Sequence, residues 1–99
     1  MKIFQVRTLK DSTKDGLFMY EIILCEGPIV FERAIFVCRK EIKDLNDLLS
    51  ALQEKGKNSY LTNFAYLTSF MIRNDLEKTF IEFNGESTLI YSNGTYDKE

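Results

Sequence analysis

Leu17-Phe18-Met19-Tyr20-Glu21-Ile22-Ile23-Leu24-Cys25-Glu26-Gly27-Pro28-Ile29-Val30-Phe31-Glu32-Arg33-Ala34-Ile35-Phe36-Val37-Cys38 is the stretch from which the fold is read. Its first part alternates: Phe18, Tyr20, Ile22 and Leu24 make one unbroken apolar face, and Leu17, Met19, Glu21, Ile23 and Cys25 make the other. A period of two marks a strand. A strand that is apolar on both faces sits centrally, with cover on each side. Glu26-Gly27-Pro28, with the only proline of the chain, is a turn signal. Ile29 to Cys38 then reads as a further strand rich in Ile, Val and Phe, interrupted by Glu32-Arg33.

Upstream, Ile3 to Lys10 reads as a strand with Phe4 and Val6 on one face and Gln5 and Arg7 on the other. It stops at the polar run Asp11 to Gly16, which reads as a hairpin loop. Three strands with short connections predict an antiparallel meander. Downstream, Ile42, Leu45, Leu48, Leu49 and Leu52 recur at helical spacing and predict a helix over Leu45 to Lys55. Asp44 suits its N-cap, Asp47 its positive first turn, and Gly56 its left-handed stop. Burying four leucines on the sheet contributes roughly 6 to 12 kcal/mol before the entropy of ordering is subtracted.

Tyr60 to Ile72 supports two readings. Leu61, Phe64, Ala65, Thr68, Met71 and Ile72 share a helical stripe, with Ser59 as cap, while Phe64, Tyr66, Thr68, Phe70 and Ile72 alternate as in a strand. The helix is preferred. After Asn74-Asp75, the runs Lys78 to Phe83 and Glu86 to Ser92 flank Asn84-Gly85, the strongest hairpin signal in the chain. Thr95 to Glu99 is polar and reads as a frayed tail. The expectation is an α+β fold: an antiparallel sheet of about five strands packed against one or two helices.

At 99 residues, 44% hydrophobic and 28% charged, the chain has the size and balance of one packed domain. Thirteen basic residues against 15 acidic give a net charge of −2, which offers no overall attraction to nucleic acid or anionic lipid. No apolar run approaches the roughly 20 residues that cross a bilayer, and Met1 to Phe4 leads into Gln5 and Arg7 rather than into a signal-type stretch. A cytoplasmic protein without membrane association is expected, so Asn93-Gly94-Thr95 reads as a turn rather than a glycosylation site. Cys25 and Cys38 are too few for a disulfide framework, lack zinc-site spacing, and fall at opposite ends of the expected strand pair. They read as small buried apolar residues.

The chain contains no histidine, which excludes histidine-dependent triads, histidine metal ligation and a histidine proton shuttle. Its five scattered glycines form neither a phosphate loop nor a dinucleotide fingerprint. No cofactor or metal is expected. Carboxylate chemistry survives by elimination, through Glu21 and Glu32, whose convergence would raise one pKa. The plainer reading has them facing solvent or paired with Arg33. Asp44 with Asp47, and Asp75 with Glu77, sit where caps and turns are expected. Arg39, Lys40 and Lys43 are the one dense basic group, and a solvated strand-to-helix junction explains them. Phe18, Tyr20, Phe31 and Phe36 have mainly aliphatic neighbours, so a core explains them better than a base-stacking platform.

What remains is an excess of apolar surface. If one helix covers one face of the meander, Met19 and Ile23 remain on the other, and the ambiguous segment adds Tyr66, Phe70 and Met71. Either that segment folds back over them or a partner does, because monomers rarely leave large apolar patches in water. Met19, Ile23, Tyr66, Phe70 and Met71 are therefore the candidate binding residues. The expected function is a small non-catalytic protein-binding module, a regulator, inhibitor or immunity-type protein that engages a protein partner or a second copy of itself. A carboxylate enzyme and a weak nucleic-acid binder are the alternatives.

Overall fold

A computed structural model of the chain describes residues 1–9, 17–53 and 64–97. The expected loop at 11–16, the Gly56 stop, the Ser59 cap and Leu61 lie outside the described residues. The elements are β1 (Ile3–Thr8), β2 (Phe18–Glu26), β3 (Ile29–Cys38), α1 (Leu45–Gln53), α2 (Phe64–Arg73), β4 (Lys78–Phe83) and β5 (Glu86–Tyr91). The five strands form one sheet in the order β3-β2-β1-β4-β5. The α+β class is as expected; the purely antiparallel sheet is not. β1 and β4 run parallel, paired at Phe4↔Ile81 and Gln5↔Glu82, so the sheet is mixed.

The reason lies in the connection. β1, β2 and β3 are joined as antiparallel neighbours. The chain then leaves β3 through two helices, and β4 joins the sheet on the far side of β1. A parallel pair needs a long crossover of this kind and cannot be made by a tight turn. β1 becomes the middle strand of five.

Both helices lie on one face. Phe4, Ile22, Leu24, Phe36, Ile81 and Ile90 from the strands pack with Leu48, Leu67 and Met71 from the helices, all fully buried in one core. Leu45, Leu48, Leu49 and Leu52 of α1 turn inward as their spacing predicts. Asp44 caps this helix, its Oδ1 accepting the Asp47 amide at 2.8 Å, and Asp47 in turn accepts the Lys43 amide at 3.2 Å. Glu86 at the start of β5 accepts the Leu45 amide, tying the helix start to the sheet.

The Tyr60 to Ile72 segment is helical from Phe64 onward. Its stripe is rotated from the expected one: Phe64, Leu67, Phe70 and Met71 are buried, while Ala65 and Ile72 are exposed. The larger pair, Leu67 and Phe70, takes the core. The helix stops where Asp75 adopts φ 58° and the Leu76 amide returns to the Met71 carbonyl.

β4 and β5 pair antiparallel around Asn84-Gly85, whose φ angles of 50° and 79° are the positive values that a two-residue hairpin turn requires. Beyond β5 the expected frayed tail is held as far as Asp97. The Tyr91 amide donates to Thr95, the Asp97 amide donates to Leu89, and Tyr96 rests its ring against Phe64. The tail thus covers the outer edge of β5. No helix among the described residues is long and apolar enough to cross a membrane.

Candidate functional site

With α1 and α2 on one side, no described element covers the other side of the sheet. Strand alternation fixes what it presents: Ile3, Gln5 and Arg7 from β1; Met19, Glu21, Ile23 and Cys25 from β2; Phe80 and Glu82 from β4; Ser87, Leu89 and Tyr91 from β5. The register sorts these into rows that cross the strands. Val30 lies opposite Cys25 and Cys25 opposite Ile3; Phe4↔Ile81 sets Ile3 abreast of Phe80, which lies opposite Leu89. An apolar stripe therefore crosses all five strands, about 19 Å between the outer two at normal strand spacing. Val30 is 43% exposed, and Ile3, Phe80 and Leu89 are half-buried.

Charge frames the stripe. On one side the next row holds Arg33, Ile23, Gln5, Glu82 and Ser87; on the other lie Lys78 and Tyr91. Among the described residues, neither Lys78 nor Glu82 has an ion-pair partner. Farther along, Glu21 is the only buried charged side chain among the described residues, and Arg7 and Arg33 hold its two oxygens from the neighbouring strands. A cleft of about 350 Å³ opens on this face between β1 and β4, with Gln5, Arg7, Ile23, Glu82 and Ser87 among its walls.

The candidate binding residues do not form one patch. Met19 and Ile23 lie half-buried on the uncovered face. Phe70 and Met71 are core residues, 4% and 0% exposed. Tyr66 is exposed at 53%, but on α2, on the far side of the sheet from Met19 and Ile23. The second helix does not fold over the open face, because Phe64, Leu67, Phe70 and Met71 join the same core as the α1 leucines. Ile3, Val30, Phe80 and Leu89, which share that face with Met19 and Ile23, are not among the candidates that the sequence suggests. The Asn-Gly turn carried enough information to set Phe80 opposite Leu89, whereas the parallel β1–β4 pairing that joins them to Ile3 has no local signal.

Glu21 and Glu32 do not converge. Glu21 faces the open side between two arginines, and Glu32 faces the helices, where Arg73 and Asn74 bind it. The Arg73 hydrogen bonds draw the Glu32 pKa below the ordinary carboxylate value. Arg39, Lys40 and Lys43 are exposed but are interleaved with Glu41, Asp44 and Asp47. Cys25 faces the open side and Cys38 the core, so the two thiols lie on opposite faces as well as opposite ends. Burial, with a smaller contribution from the Glu82 charge, pushes the Cys25 thiol pKa up, away from a reactive thiolate. Comparison with protein-family models, curated proteins and solved structures finds no match to this chain.

Proposed function

We propose that this chain is a small, non-catalytic protein-binding module, a regulator or inhibitor that works by laying the uncovered face of its sheet on a partner surface. The observation that carries this reading is the row of apolar residues from Val30 to Leu89, aligned by register across five strands on the side of the sheet opposite α1 and α2, with Cys25 buried within it. A face of this kind gains free energy when it leaves water, and the half-buried Ile3 at its centre and Phe80 beside it are suitable anchors. The Arg7–Glu21–Arg33 cluster and the Glu82 carboxylate beside the stripe supply the polar rim that gives such a contact its register. A regulator of this design acts by occupancy and needs no bond-making group.

The test uses the folded chain immobilised by its N-terminus and exposed to extract from its source, beside a Phe80→Lys, Leu89→Lys variant. The wild type should retain a protein, additional copies of the chain included, and the variant should lose it while keeping its far-ultraviolet spectrum. Retention that ignores both lysines, or no retention together with a monomeric mass at every concentration, would count against the reading.

A further inference from the structure

The geometry points to a second copy of this chain as the occupant of the open face, packed face to face about a two-fold axis that runs along the apolar stripe, across the strands. This inference rests on the docking reading above and names its partner. In β4, Lys78 and Glu82 stand two residues to either side of Phe80, all three on the open face. A two-fold axis along the stripe lays β4 antiparallel over the β4 of the other copy, with Phe80 near the axis. Glu82 of each copy then meets Lys78 of the other, twice per dimer. Both charges lack an ion-pair partner among the described residues of the single chain. The stripe itself stacks on its own counterpart, Ile3 on Ile3 and Leu89 on Leu89, and Ser87 is carried over Tyr91.

The other way to stack the two faces has its axis along β1. It sets Arg7 against Arg7 and leaves Glu82 over the aliphatic Ile23, combining like-charge repulsion with an unpaired carboxylate removed from water. Charge therefore selects the first arrangement. Three rows of side chains along the strands and five strands across give a face of roughly 20 by 24 Å. Two such faces remove about 1,000 Å² from water, the lower bound for a specific interface. Twisted sheets packed face to face cross at about 30°, so contact is tightest at the middle of the face, at Ile3 and Phe80, and opens toward the corners. A reversible dimer follows, sensitive to concentration and to salt.

The experiment is sedimentation equilibrium of the full chain over a wide concentration range. The wild type should rise from the 11.6 kDa chain mass toward twice that value. Glu82→Lys and Lys78→Glu each turn both crossed pairs into repulsions and should weaken association about tenfold or more. The double variant Lys78→Glu, Glu82→Lys should recover it, and so should an equimolar mixture of the two single variants, since one then carries two lysines and the other two glutamates. A mass fixed at 11.6 kDa overturns the self-pairing, as does association indifferent to both single reversals, or single variants that never recover on mixing. Phe80→Lys separates the two readings. If it abolishes an association that the charge reversals leave intact, this register falls and the docking face stands; if it too has no effect, both fall.

Discussion

Arg7 donates through Nε to Glu21 Oε1 at 2.8 Å, directly across the β1–β2 pair in which the two residues are opposite partners. Arg33 approaches the second oxygen from β3 at 3.3 Å. One carboxylate thus links three adjacent strands on the side of the sheet opposite α1 and α2. Glu21 is 7% exposed, whereas both guanidiniums keep more than half of their side-chain surface in water.

Glu21→Gln is expected to destabilise the fold by about 1–3 kcal/mol, less than the 3–5 kcal/mol typical of breaking a wholly buried pair, because the two arginines remain solvated. Urea unfolding of this variant, with Arg7→Met and Arg33→Met alone and combined, measures the coupling. A cost near zero for Glu21→Gln would mean that the carboxylate is held by the fold rather than holding it.

Tyr20 packs its ring against Phe36 and Phe83, and its hydroxyl accepts the Ile42 amide at 2.7 Å. Tyr20→Phe leaves that buried N–H without its acceptor and should cost about 1–3 kcal/mol by denaturant titration. Burial, the largest cause, raises the Tyr20 pKa above its ordinary value of 10.0. The unfolded chain therefore releases this proton first. The contribution is whole below pH 10.0 and is lost as pH climbs through the folded value, so the wild type should lose stability on the alkaline side more steeply than Tyr20→Phe.

Glu32 gives the opposite sign. Hydrogen bonds from Arg73 hold its pKa below the ordinary 4.5, so its stabilising contribution is present above 4.5 and is lost as pH falls through the lower folded value. Arg73→Met should bring the carboxyl titration, followed by side-chain NMR, back toward 4.5 and flatten the acid limb of the stability curve. The effect is small, because Arg73 is 56% exposed.

How much of this could be read beforehand depended on the range of the interaction involved. The β3 and β4 boundaries, the Asp44 cap and the Asn84-Gly85 turn rest on contacts a few residues apart, and strand alternation or turn chemistry marks them in the sequence. The parallel β1–β4 pair joins residues more than seventy positions apart and is chosen by where α1 and α2 set the chain down, which no local pattern encodes. Met19 and Ile23 could be placed on the uncovered face because β2 alternates cleanly. Phe70 and Met71, candidates for binding on the sequence, lie in the core, because the same apolar residues serve equally as core or as interface until the position of the second helix is known.

The tail residues Thr95 to Asp97 were the polar stretch least expected to carry structure, yet they close the outer edge of β5. Removing residues 95–99 should bare the backbone groups of Leu89 and Tyr91 and free Phe64 of its Tyr96 contact. A protein with an open sheet edge aggregates more readily. Light scattering on warming should therefore begin at a lower temperature in the truncated chain than in the full one, and an unchanged onset would show that the tail protects nothing.

Docking and self-pairing both require that one side of the sheet meet water when a copy of the chain is alone. A soluble paramagnetic probe added to a methyl-labelled sample at high dilution measures this directly. It should broaden the methyl signals of Ile3, Ile23 and Leu89 far more than those of Ile22, Ile81 and Ile90, and the difference should shrink as concentration rises. Equal protection of the two groups at every dilution would contradict it, because the chain would then be covering that face with a segment of its own.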